Sequence, residues 1–107
     1  MSLTMKDFQK LDIRIGRIVK AEKLPQLKKI LRVYVDIGAQ TIQTVAGGAE
    51  FYLPEYFVDK LVVVLVNLEP KVIAGIESKG MLLAADVGGK PVWLTVPEDV
   101  PSGTKVR

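Results

Sequence analysis

The chain has 107 residues, 49% of them hydrophobic, and 15 Lys and Arg against 12 Asp and Glu for a net charge of +3, which describes one folded domain with a single core. Cysteine and histidine are both absent, which excludes disulfides, thiolate nucleophiles and Cys- or His-ligated zinc or haem, and removes the commonest general base at neutral pH. The charge is asymmetric: nine basic residues against three acidic ones give +6 through Arg32, and the remainder carries −3, a basic end of the kind that faces a polyanion or serves as a solvated face.

Thr4 to Gln9 reads as a short helix, with Thr4 as cap and Asp7 three residues on in a capping-box spacing. Leu11, Ile13 and Ile15 then alternate with polar neighbours, and the apolar phase shifts at Ile18 and Val19, which predicts a long first strand bent by a bulge at Gly16. Leu24 to Lys29 breaks the pattern and reads as a loop. Val33, Val35 and Ile37 form the inward face of a second strand, with Arg32, Tyr34 and Asp36 outward, and Gly38 ends it.

A third strand is expected over Thr41 to Val45, then a non-strand connection in which Pro54 starts a helical turn. Leu61 to Val66 is continuously apolar and β-branched, as in a strand buried on both faces. This run and Met81 to Ala85 are far too short to cross a bilayer, and no export signal opens the chain, so no membrane partner and a cytoplasmic location are expected. Leu68 to Lys79 reads as a polar connection, Gly80 to Ala85 as the fifth strand, Val87 to Lys90 as a turn, and Val92 to Val96 as an extension. Three strands, a connection and two more strands is the order of an all-β, five-stranded oligonucleotide-binding barrel, here with a short N-terminal helix and a C-terminal β extension over one domain, residues 1–107. Small β-sandwiches share that strand count.

The run Asp7-Phe8-Gln9-Lys10-Leu11-Asp12-Ile13-Arg14-Ile15-Gly16-Arg17-Ile18 resembles the opening of the tRNA-binding domain family, which includes free-standing tRNA-binding proteins, the C-terminal domain or β-subunit of methionyl-tRNA synthetases and the CsaA-type chaperones. The resemblance continues through Val35-Asp36-Ile37-Gly38, Asn67-Leu68-Glu69-Pro70, Gly75 to Ala85 and Val100 to Arg107, nearly the whole chain. It implies an oligonucleotide-binding fold, tRNA as partner, no cofactor, no catalytic residue and, in free-standing members, a homodimer. The methionyl-tRNA synthetase catalytic subunit is a further expected partner. The family's usual His-Pro and Ala-Asp-Lys-Leu after the first strand are replaced here by Leu24-Pro25-Gln26-Leu27-Lys28-Lys29.

For RNA, Lys23, Lys28 and Lys29 in the first loop and Arg32 beside it can follow phosphates without reading sequence. Tyr34 is placed to stack on a base or to pack across strands. Lys71 and Lys79 lie in the second loop, and by resemblance the unit Ser78-Lys79-Gly80-Met81 lies on the RNA surface. Ser78 suits a phosphate, a 2′-hydroxyl or a turn, and Met81 suits an unstacked base or the core. Arg14 is a weaker candidate, because the phase shift leaves its face undetermined. Val92, Trp93 and Leu94 suit either a dimer interface or packing within the chain. Asn67 reads as a cap on the fourth strand. The competing function is a CsaA-like chaperone that binds unfolded polypeptide through an exposed apolar groove.

Overall fold

In the computed structural model of residues 1–107, Thr4 caps α1 (Met5–Gln9). Its side chain accepts from the Asp7 amide at 3.1 Å while Asp7 accepts from the Thr4 amide at 3.3 Å, the reciprocal box expected from the spacing. The helix buries none of its residues.

The alternation after it builds β1 (Ile13–Leu24), β2 (Leu27–Asp36) and β3 (Thr41–Gly47), followed by α2 (Pro54–Phe57) and β4 (Leu61–Leu65). These strands and the short β7 (Met81–Leu82) form one antiparallel sheet in the order β3-β2-β1-β4-β7. The sheet curls until its two ends, β3 and β7, touch. Ile18, Leu31, Val33, Val35 and Val64 on its inner face are fully buried, each contributing about 1.5–3 kcal/mol by leaving water. Phe57 from α2 and Leu82 close the same core.

Several expectations are corrected. The bulge in β1 falls between Ile18 and Lys20, while Gly16 pairs regularly with Val62. Glycine is needed there for room, since a Cβ would sit 2.5 Å from Val35 Cγ1. Leu24 to Lys29 is no loop: only Pro25 and Gln26 turn between β1 and β2, so Lys28 and Lys29 are strand residues. Leu68 to Lys79 contains a hairpin, β5 (Lys71–Ile73) and β6 (Ile76–Ser78), turned by Ala74 and Gly75 at φ 51° and 81°, the positive pair a two-residue hairpin turn requires. The expected fifth strand is divided into β7 and β8 (Ala84–Val87), and β8 pairs with β9 (Lys90–Trp93) through Gly88 and Gly89.

The tail returns to the start of the fold. Beyond Arg17, β2 no longer follows β1, and the freed edge is taken by the last residues: Gly103 donates to Ile15 O at 2.7 Å, Ile15 to Thr104 O at 2.8 Å and Val106 to Ile13 O at 2.8 Å. Gly38 and Gly103 cross in contact, and a Cβ on Gly103 would lie 2.7 Å from Ile37 O. Asn67 is structural but does not cap β4: it fastens the linker between α1 and β1, accepting from the Asp12 amide and donating to Lys10 O.

Asp12 fastens this corner. Its Oδ1 lies 3.0 Å from Lys105 Nζ and 2.9 Å from Arg14 Nε. The Lys105 hydrogen bond, aided by both cations and opposed by slight desolvation, holds the carboxyl below its ordinary value of 3.8. A carboxylate depressed in the folded state stabilises above its unfolded pKa and loses that contribution as pH falls through the folded one. Asp12→Asn should therefore lower the denaturant midpoint at pH 7, and its difference from the native chain should begin to shrink as pH falls below about 4 and close only once pH is below the depressed folded pKa. Denaturant titrations between pH 2 and 7 check this.

Candidate nucleic-acid interface

Because side chains alternate along a strand, the residues that skip the core in β1, β2 and β3 line up in cross-strand rows on the outer face. One row runs Lys20, Tyr34, Gln43, and the next Glu22, Arg32, Val45. The Lys20 ammonium stands 5.6 Å from the centre of the Tyr34 ring, within cation–π reach. Arg32 is engaged by Glu22 at 2.6 Å, and this hydrogen bond, more than the added charge of Arg32 and Lys20, holds the Glu22 carboxyl below its usual range.

At the turn end of the ribbon, Lys23, Lys28 and Lys29 are exposed. None of them lies within ion-pair distance of a carboxylate. The sequence placed these lysines in a loop; they stand instead on two strands either side of the Pro25–Gln26 turn. Arg14 is placed elsewhere: it is engaged with Asp12 and with Gly103 O at 2.9 Å, so the tail corner accounts for it and it does not join the lysines.

The β5–β6 hairpin flanks β3, but no continuous ladder joins them. One backbone bond runs from Lys79 N to Gln43 O, at 2.9 Å, and side chains supply the remaining bonds. Gln43 Nε2 donates to Glu77 O at 2.9 Å, Val45 N donates to Ser78 Oγ at 3.0 Å, and Thr44 Oγ1 lies 3.1 Å from Ser78 Oγ. Ser78 and Thr44 are the two buried polar residues of the chain. Ser78 is thus corrected from a surface contact to a seam residue: its hydroxyl stands in for a missing strand partner and satisfies the Val45 amide.

Between this hairpin and β3 opens a groove of about 540 Å³, lined by Val45, Leu68, Glu69, Lys71, Ile73 and Met81, with Ser78 and Gly80 at its base. Met81 is 46% exposed, a surface methionine rather than core packing. Lys71 is exposed without an acidic partner, whereas Lys79 lies 3.6 Å from Glu77. The geometry therefore places Arg32, Tyr34 and Lys28 on one side of β2, with Lys71, Lys79 and Met81 on and beside the adjoining hairpin, while Lys23 and Lys29 project from the opposite side of the ribbon at its turn end. Sequence reading missed Gln43 and Lys20, although extending the outward alternation from Tyr34 to its neighbouring strands would have found both. Glu69 stands in the Asn67-Leu68-Glu69-Pro70 motif, but nothing in the sequence marks it as lining a groove.

Val92 and Leu94 are exposed, at 43% and 42%, while Trp93 turns inward, edge-on to Phe57 at 5.7 Å between ring centres. Trp93 belongs to an aromatic cluster with Tyr52, Tyr56 and Phe57. A second apolar surface, Met5, Phe8, Leu11 and Val106, surrounds a cleft of about 460 Å³ beside the tail. No group of His, Cys, Asp or Glu could hold a metal ion, and no helix is long and apolar enough to cross a membrane.

Residues 13–105 match the family model described as "Putative tRNA binding domain". The chain is 52% identical over 104 residues to a methionine–tRNA ligase of Archaeoglobus fulgidus and 48% identical over 105 residues to that of Thermotoga maritima, covering 97% and 98% of this chain. It spans about a sixth of those relatives, 16% and 17% of their lengths. Among solved structures, the MetRS related protein from Pyrococcus horikoshii superposes with a TM-score of 0.92 at 38% identity, and the chaperone CsaA of Bacillus anthracis with 0.90 at 31%, each covering all of both chains. An all-β, oligonucleotide-binding-like fold with a basic outer face defines a class of nucleic-acid-binding module. Within it, this chain belongs to the tRNA-binding domain family.

Removing the Ser78 hydroxyl leaves the partly buried Val45 amide without its partner, a loss of about 1–3 kcal/mol. Ser78→Ala should lower the denaturant midpoint accordingly and weaken RNA binding through the displaced hairpin, while Ser78→Thr, which keeps the hydroxyl, should recover part of both. An alanine variant of native stability would show that the seam does not depend on this bond.

Proposed function

We propose that this chain is a non-catalytic module that grips tRNA by its backbone and shape, largely independently of sequence, and that it serves a methionyl-tRNA synthetase, as a trans-acting β-subunit or an equivalent accessory domain. The observation that carries the reading is the cluster of unpaired lysines around the β1–β2 turn, Lys28 on the side of Arg32 and Tyr34 and Lys23 and Lys29 on the opposite side, with Lys71 on the β5–β6 hairpin. Unpaired ammonium groups neutralise phosphates and release counterions, which gives affinity without base reading. The match to the tRNA-binding family and the ligase relatives supports the choice of tRNA and of the synthetase partner. Aromatic residues make up only 7% of the chain, which suits a shape-directed grip rather than a broad stacking platform.

A CsaA-like chaperone role is the second reading, favoured by the similarity to a chaperone CsaA structure and by the exposed apolar side chains Leu68 and Met81 in the groove. Titrating tRNA, an RNA duplex of similar length and an unfolded peptide at two salt concentrations separates the two. The tRNA reading expects tRNA to bind tightest and to weaken with salt. Preference for the peptide would replace it with the chaperone. Exchanging Lys28 and Lys29 for Ala should weaken binding about equally across tRNAs and reduce the salt slope by roughly two.

Self-association completes the proposal: a two-fold dimer would double the basic face and add avidity on an L-shaped RNA. The exposed Val92 and Leu94 beside Trp93 supply one apolar surface for it, and Met5, Phe8 and Leu11 another. Sedimentation at micromolar concentration should give twice the 11.8 kDa chain mass, and Leu94→Lys should yield the monomer if the first surface is used. A native monomer would reject the dimer.

A further inference from the structure

A carboxylate on a surface that binds a polyanion repels it unless a donor or a cation occupies that carboxylate. On the outer face and its hairpin, Glu22 is neutralised by Arg32 and Lys20, and Glu77 by Lys79. Glu69 has neither an ion-pair partner nor a hydrogen bond from a protein side chain. It nevertheless lines the groove between β3 and the β5–β6 hairpin, together with the apolar side chains Leu68, Ile73 and Met81 and the unpaired Lys71.

We propose that this groove is a slot for one unstacked guanine of the bound RNA, and that Glu69 selects it. The proposal rests on the RNA-binding reading above and adds a single base contact to an otherwise backbone-directed grip. Leu68 and Met81, exposed at 43% and 46%, supply an apolar and polarizable surface for a base plane, and a volume of about 540 Å³ accommodates a nucleotide. Lys71, an unpaired cation lining the same groove, is available to the attached phosphate, so the groove offers one charge of each sign to a nucleotide.

Guanine is the base that fits a free carboxylate. Its Watson–Crick edge carries two adjacent donors, N1–H and the N2 amine, which meet the two oxygens of one carboxylate in parallel. Cytosine and adenine place a ring-nitrogen acceptor beside their amine, and uracil flanks its single N–H with two carbonyls, so each sets an acceptor against Glu69. A polypeptide occupant has no such paired donor edge except an arginine, which the peptide arm of the binding comparison above would expose.

The test uses the full chain and short labelled single-stranded RNAs, uridine throughout except for one central guanosine, inosine or adenosine, followed by fluorescence anisotropy at low salt beside a tRNA titration. Inosine lacks only the N2 amine. The native chain should favour the guanosine strand over the inosine strand by roughly tenfold, as a bidentate pair discriminates, and Glu69→Gln, with one acceptor in place of two, should bring the two strands level. Native binding to tRNA with no difference between guanosine and inosine would overturn the slot alone, as would a Gln variant that kept the preference. Failure of the native chain to bind tRNA would overturn both this slot and the RNA-binding reading.

Discussion

Strand β1 is the element every other part of the fold is built against, and Gly16 is what allows it. Over Arg17 to Leu24 it pairs with β2, over Ile13 to Arg17 with β4, and on its remaining edge with the chain's last residues. One strand can serve three partners only where the sheet changes partner over very few residues, and there β2 must pass close to it. The Val35 methyl occupies the space a side chain at position 16 would need. Any larger residue would have to push β2 away from β1, loosening the ribbon that carries the free lysines and the edge that holds the tail.

The opposite end of the sheet is closed differently, and that difference makes the groove. A fully closed barrel would continue β3 into a ladder with the returning strand and leave no space between them. Here the returning chain first makes the β5–β6 hairpin, and Gln43, Thr44 and Ser78 satisfy the exposed amides and carbonyls in place of a ladder. Side-chain bonds bridge where backbone bonds would draw the strands flush, so a cleft remains beside them. Gly80, at φ 69°, turns the chain back into β7, and a Cβ there would meet Leu65 O at 2.9 Å. The groove is thus a consequence of incomplete closure rather than an addition to the fold.

This explains what could be read from residue order and what could not. Alternation located β1, β2 and β3 and the inward set Val33, Val35 and Ile37 because a period of two is a local property, and the Thr4–Asp7 box declared α1 for the same reason. The β5–β6 hairpin escaped because three-residue strands with the turn Ala74-Gly75 lack the Asn-Gly or Gly-Gly signal, and a Gly inside a polar run resembles any loop. The tail pairing escaped because it joins residues some ninety positions apart through backbone atoms, which leave no side-chain pattern. Among the site residues, the lysines of the first turn were visible as a charge cluster. Ser78 was visible as a motif, but its role depends on which atom lies beside it, and only folding decides that Val45 does.

The disposition of the cations sharpens the functional meaning of a modest net charge. Arg14, Arg17 and Arg32 are each engaged by a carboxylate at 2.6–2.9 Å, and Arg14 and Arg17 also donate to backbone carbonyls. The planar guanidinium fork, with several donors in fixed directions, suits such fixed architectural bonds, whereas an ammonium on a flexible stem suits a partner whose position varies. Lys23, Lys28, Lys29 and Lys71 are exposed and free of carboxylates, the first three around the β1–β2 turn and the last on the β5–β6 hairpin. A count of charges averages over this division and returns a nearly neutral protein. Sorted by partner, Arg14, Arg17 and Arg32 are held within the fold, and the cations free of carboxylates are mostly lysines, whose flexible reach suits an irregular phosphate backbone.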